Sequence, residues 1–246
     1  MIKIIIFLFI IFFNNLFSSN TEEFFYKTKF KGLRVGHTKI SLLDEQNLEN
    51  KKKIITIESY STKFLDIIYK LRHFSTIIVN DDDFSLLATT QKIQQAKYID
   101  SFNATIDNIT KVIYYQNTQD VINNNKQNTI ETIPFIDKIY DPFAIVYYLR
   151  KLNLEVNKEF NFQAYSKTTI RNFALEIIAI EKIKTPYINQ DCFVIIPKSL
   201  DGKSILKRKG EMKIWITNDS LRLPIKIQQK MRHGTMELVL KDYKIE

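Results

Sequence analysis

The chain has 246 residues, a net charge of +9, 45% hydrophobic and 13% aromatic residues, and one cysteine. A single cysteine excludes an internal disulfide, and with it a small disulfide-stapled scaffold. The cations are mostly lysines spread among Ile and Asn rather than gathered on one face, which argues against a nucleic-acid partner.

Lys3 precedes an unbroken apolar run from Ile4 to Phe13, ended by Asn14 and Asn15 and followed by Ser18 and Ser19. This is the layout of a secretory signal peptide over residues 1–19. The run is too short for a spanning helix, which needs about 20 apolar residues; the alternative is an uncleaved tether lying in the interface. Phe17 stands where a smaller residue is usual before cleavage, and no cysteine lies nearby to carry a lipid. The expected location is the periplasm or cell envelope. Residues 20–246 then form a single β-rich domain, large enough to bury roughly 70% of its unfolded surface.

Short runs rich in Ile, Val, Thr, Phe and Tyr, bounded by Asn, Asp and Gly, predict strands. They start near Phe24, Leu33, Ile54, Phe74, Phe84, Tyr98 and Lys111, and again near Phe160, Asn172, Cys192, Glu211, Arg222 and Thr235. Leu33 and Val35 have one parity, and Ile40 and Leu42 have the other, so an extra residue is expected at Gly36–His37 as a β-bulge. A short helical turn is expected over Lys63–Tyr69. Asn80-Asp81-Asp82-Asp83 reads as a hairpin turn, because three adjacent aspartates lack calcium-loop spacing.

The main helix is expected over 141–152. Asp141 is a favoured N-cap, and Pro142 at the first helical position lacks the N–H that would have gone unpaired. Phe143, Val146, Tyr147 and Arg150 follow at helical spacing, with Ile145, Tyr148, Leu149 and Leu152 beside them. An apolar arc this wide implies burial on most sides, as in the mouth of a curved sheet. Further on, Phe173, Leu175, Ile177 and Ala179 alternate onto one strand face. Leu223, Ile225 and Ile227 do the same, as do Met236, Leu238 and Leu240. Cys192, inside an apolar run, reads as a buried inert thiol. Lys203, Lys207, Arg208 and Lys209 form a basic loop, either a solvated hairpin tip or a patch facing an anionic membrane surface. The fold class is mainly β, an antiparallel meander curled into a barrel or half-barrel with the one main helix packed against it.

In Trp215–Pro224, Asp219 caps a turn through its own backbone, and Arg222 pairs with Asp219 or another carboxylate. Met212, Ile214 and Ile216 should face one way and Trp215 the other. Trp215 either packs against Tyr or Lys stems or meets a ligand. His37, His73 and His233 are widely separated, so no metal site is expected. No nucleophile elbow or phosphate-cradling glycine loop occurs, and no cofactor is expected.

Asp141-Pro142-Phe143 with Tyr147 and Leu149-Arg150, then Trp215-Ile216, Asp219 and Arg222-Leu223-Pro224, with Gly234 beyond, resemble the domain of unknown function 3108 family of exported bacterial proteins. The resemblance implies a mainly β envelope protein and carries no established reaction or substrate. Three functional readings follow. The first is a non-enzymatic binder of a hydrophobic or lipid-like ligand, with Phe143, Tyr147, Tyr148, Arg150, Trp215 and Arg222 at the ligand. Asp141, Pro142, Asp219 and Pro224 are then structural. The second is a structural or adaptor module of envelope assembly that binds a protein partner. The third is a hydrolase or other enzyme, a reading that a pocket holding Asp141, Arg150 and Arg222 together with a strongly shifted pKa would favour.

Overall fold

The structure, a computed structural model, describes residues 21–45, 51–118, 130–185, 187–200 and 211–246. The expected signal segment, and Lys203, Lys207, Arg208 and Lys209, lie outside the described residues.

Fifteen strands are described. The first eight are β1 (Thr21–Phe30), β2 (Leu33–Glu45), β3 (Lys52–Ser61), β4 (Leu71–Asn80), β5 (Leu86–Gln95), β6 (Tyr98–Asp107), β7 (Val112–Asn117) and β8 (Ile130–Pro134). The others are β9 (Ile139–Tyr140), β10 (Glu159–Ser166), β11 (Thr169–Lys184), β12 (Asn189–Ser199), β13 (Glu211–Thr217), β14 (Pro224–Met231) and β15 (Gly234–Ile245). Helices α1 (Lys63–Asp66) and α2 (Pro142–Leu149) complete the described elements. The alternation read from the sequence is the burial pattern: Phe24 and Tyr26 are buried between half-buried Phe25 and Lys27, and Ile55 and Ile57 likewise in β3.

All strands join one sheet in the order β8-β7-β6-β5-β4-β3-β2-β1-β15-β14-β13-β12-β11-β10-β9. The first and last strands therefore pair at its middle, with Tyr26 opposite Leu240, and each half meanders outward. The two edges, β8 and β9, are consecutive in the chain and joined only by residues 135–138. At about 3.3–3.6 Å per residue, that link holds the edges within about 18 Å of each other. A fifteen-stranded sheet can meet that limit only by curling almost shut, and the result is a half-barrel whose edges do not pair. One pair departs from the antiparallel meander: β9 runs parallel to β10, with Gln163 opposite Ile139. The chain leaves β9 straight into α2, crosses the interior and returns along β10 in the same direction.

Bulges supply the curl, because each adds twist where one strand carries an extra residue. Between β1 and β2, Thr28 faces Gly36 but Lys29 faces Arg34, so Val35 is the extra residue, one position before the one expected. A Cβ on Gly36 would lie 2.3 Å from the Tyr60 carbonyl oxygen, which explains the glycine. Further extra residues are Leu87, Ile178, Ile225 and Lys241. Two of these correct the expected faces. The bulge at Ile178 turns Ala179 away from Phe173, Leu175 and Ile177, and the one at Ile225 puts Ile227 on the face of Pro224. Leu238 and Leu240 keep one face, opposite Thr28 and Tyr26.

Candidate functional site: a cavity beside the central helix

Helix α2 starts as its residues dictate. Asp141 Oδ1 accepts the Phe143 N–H at 2.8 Å, and Pro142 occupies the first turn. The helix ends at Leu149, three residues short of the expected 152. Arg150, Lys151 and Leu152 continue as a tight turn, their N–H groups bonding carbonyls three residues back. Burial lifts the Asp141 carboxyl to about 6, against the lowering effect of the two backbone N–H groups it accepts.

The C-terminal half of α2 closes one end of the half-barrel. The Tyr147 ring lies 5.9 Å from Phe24, edge-on, and 6.4 Å from Phe84, stacked. Tyr148 stacks on Tyr140 at 5.9 Å and meets Phe162 edge-on at 6.3 Å. The Arg150 guanidinium makes a two-pronged contact with the Glu22 carboxylate, donates to the Leu221 carbonyl at 3.2 Å and lies 5.3 Å over Phe24. Lys151 donates to the Asp81 carbonyl at 2.8 Å, and Asp81 and Asp44 both pair with Lys53. The aspartates of the predicted turn thus fasten this end as well as turn the chain.

Beyond the N-terminal half of α2 lies a cavity of about 780 Å³. Phe143 and Val146 form its floor, Met212, Ile227 and Leu238 one wall, and Phe30 and Val35 another, with Leu65 and Tyr69 of the α1 segment at the mouth. A row of hydroxyls crosses the wall: Thr28 Oγ1 lies 3.2 Å from Thr38 Oγ1, which lies 2.9 Å from Ser59 Oγ. His73 also lines the cavity; its Nε2 is 3.1 Å from Gln91 Nε2, and burial lowers its pKa. At the rim, Asp66 accepts from Arg72 Nη1 at 2.9 Å and from Ser61 Oγ, and these hydrogen bonds bring its carboxyl down to about 2. Such a space suits an apolar molecule with a few hydrogen-bonding groups.

Of the residues expected at a ligand, the structure brings Phe143 to the cavity, beside Pro142. Tyr147, Tyr148 and Arg150 sit in the closed end. Trp215 faces away from Ile214 and Ile216, pairing with Val194 and Lys226 across the strands. It is buried there, its Nε1 donating to Glu181 at 3.2 Å with Lys226 Nζ 5.0 Å over the ring. Arg222 departs from the expected ion pair. Its backbone N–H, not its guanidinium, bonds Asp219 Oδ1 at 3.0 Å, and the guanidinium lies 4.9 Å over Phe193. Asp219 also accepts from Leu221 N at 3.1 Å and Thr217 Oγ1 at 2.7 Å, the cap the sequence predicts. Pro224 opens β14, where no ladder donor is missed. None of Asp141, Arg150 and Arg222 lines this cavity. Among the described residues no group of His, Cys, Asp and Glu is placed to hold a metal ion. Cys192 is buried, and desolvation pushes its thiol up to about 11.

Thr28, Thr38 and Ser59 went unremarked in the sequence, and His73 was read only as one of three scattered histidines. Thr28 had a signal: it continues the inward alternation of Phe24 and Tyr26 with a polar side chain.

The family model described as a protein of unknown function, DUF3108, matches residues 25–241. The chain belongs to that family. No curated protein matches this DUF3108 chain. Among solved structures it is similar to a β-barrel-like protein of another unknown-function family, DUF1849, from Brucella abortus. The TM-score is 0.57 at 6% identity, over 92% of this chain and 98% of that one. That likeness shows the fold alone. A candidate lipoprotein from Parabacteroides distasonis, 13% identical over 91% of this chain and 94% of that one, has a TM-score of 0.31, too low to carry an argument.

Proposed function

We propose that this protein is a non-enzymatic binder of a hydrophobic, lipid-like ligand, working in the periplasm or cell envelope. The observation that carries the reading is the cavity of about 780 Å³ between α2 and the curled sheet. Its size falls within the range of small-molecule sites, and its wall is mostly apolar. The hydroxyls of Thr38 and Ser59 and the imidazole of His73 give a ligand's polar group a place to bond. The leader-like N-terminus supports the location.

The test is native mass spectrometry of the protein purified from its own envelope fraction, followed by organic extraction. The expected result is a co-purifying apolar molecule, lost when Leu238→Trp fills the cavity. A protein that arrives empty and takes up no fatty acid or phospholipid added to it overturns the reading.

One observation favours an adaptor role instead. Among the described residues β8 is an edge strand paired on one side only, with Ile130 59% exposed, and an open edge can accept a partner's strand. Arrival in the same preparation with a stoichiometric polypeptide and no apolar molecule would move the assignment there.

A further inference from the structure

The rim of the cavity mouth carries large, exposed apolar side chains. On α1 and the turn after it, Phe64, Ile67 and Ile68 are 78%, 83% and 75% exposed. Two more join them from neighbouring strand ends. The Thr62 N–H bonds the Val35 carbonyl at 2.9 Å and the Ala96 N–H bonds the Lys70 carbonyl at 2.7 Å, which places exposed Leu33 and Tyr98, two residues along, at the same end of the sheet. A cluster of this kind on a folded surface marks an interaction site. It is held in place rather than frayed, since Asp66 of α1 is tied to Arg72 and Ser61. Lys63, Lys70 and Lys97 stand among these apolar groups, exposed, and none of the three makes an ion pair among the described residues. Among the described residues, the nearby carboxylates Asp66 and Asp100 are taken, by Arg72 and Lys167.

Apolar side chains at the tip with unpaired lysines around them are the arrangement that an interfacial membrane contact requires. A second copy of the chain would set lysines against lysines. The geometry points to docking of this end on an anionic lipid surface, with Phe64, Ile67 and Ile68 seated below the headgroups and Lys63, Lys70 and Lys97 on the phosphates. The cavity then opens toward the bilayer. This contact concerns where the protein sits rather than what its cavity holds.

The test uses the full chain carrying Phe64→Trp, with vesicles of phosphatidylcholine alone or mixed with phosphatidylglycerol, some bearing brominated acyl chains. Flotation with the anionic vesicles is expected, together with bromine quenching that the parent chain, whose sole Trp215 faces elsewhere, does not show. Replacing Lys63, Lys70 and Lys97 together with Gln should weaken partitioning about 100-fold, at about fivefold per lysine. Phe64→Ser should weaken it about tenfold. Circular dichroism and the unfolding midpoint confirm that each variant is folded. Failure to float, or flotation that survives both sets of substitutions, overturns the proposal. So does self-association or capture of an acidic protein that the same substitutions abolish while vesicle binding is absent. A protein that carries lipid yet does not float would sink this proposal and leave the binder reading standing.

Discussion

Two effects oppose each other on the Asp141 carboxylate. The N–H groups of the first helical turn favour its charge, while burial disfavours it, and burial wins, with the carboxyl lifted to about 6. The unfolded chain keeps the ordinary value near 3.8, so the native state holds its proton to higher pH. This residue's contribution to stability therefore falls as pH rises from about 4 to about 6. Asn caps as well as Asp and does not titrate. Asp141→Asn is expected to be more stable than the parent at pH 7, with the gap closing by pH 4, as read from urea unfolding at each pH. Asp141→Ala should instead cost about 1 kcal/mol at pH 4, where the parent's cap is neutral and still accepts the Phe143 N–H. Arg150 makes the sharper demand on its neighbours. Truncation to Ala removes the two-pronged contact with Glu22, the bond to Leu221 O and the packing over Phe24, and should cost about 3 kcal/mol by the unfolding midpoint. Arg150→Lys should recover only part, because an ammonium cannot serve the carboxylate and the carbonyl with the same fork. Trp215→Phe loses one hydrogen bond to Glu181, worth about 1 kcal/mol, and should leave the cavity's contents unchanged by native mass spectrometry.

Among elements, the bulges decide most. Gly36 shows how: the extra residue Val35 brings the β2 backbone so close to β3 that the Tyr60 carbonyl occupies the place of a Cβ. Gly36→Ala is expected to cost about 1–3 kcal/mol, with the urea midpoint lowered and the slope unchanged. The sequence showed this bulge through a parity slip between two hydrophobic sets. It hid the bulges at Ile178 and Ile225, where apolar residues fill both parities and no slip is visible. Both faces of β11–β13 are apolar because one packs on α2 and the other covers Trp215, Val194 and Cys192. The main helix was legible because its cap and first-turn proline act locally. Its early end was not, because Arg150 leaves the helix to reach Glu22, 128 residues away. Strands β8 and β9 were also missed. They are five and two residues long and owe their conformation to neighbours rather than to pattern.

For the molecule as a whole, the pairing of β1 with β15 puts the first and last described strands at the middle of the sheet. The Thr21 N–H bonds the Glu246 carbonyl at 3.1 Å, and the return bond is 3.0 Å. Deleting residues 234–246 should therefore abolish cooperative unfolding rather than trim an end, since it leaves β1 and β14 facing open edges. Joining Glu246 to Thr21 and opening the chain at Asn108–Thr110, an exposed turn, should give a folded permutant with the same circular dichroism. Filling the cavity tests the other large-scale feature. Leu238→Trp should abolish ligand uptake, with a stability change small beside that of Arg150→Ala, because the new ring enters empty space.

The sequence by itself determined the strands' alternation, the cap and proline that start α2, the turn held by Asp219, the inert Cys192 and the family to which the chain belongs. These follow from interactions within a few residues or from a period that a single strand carries alone. Only the tertiary structure decided that the sheet runs from β8 to β9 through a β1–β15 seam. It alone showed that the aromatic helix divides into a plugged end at Tyr147 and Tyr148 and an open end at Phe143, and that the cavity belongs to Thr38, Ser59, His73, Met212, Ile227 and Leu238. Those residues come from strands up to 200 positions apart, and what brings them together is the curl of the sheet. That curl comes from several bulges acting together, of which only the one beside Gly36 marks the pattern of its own strand.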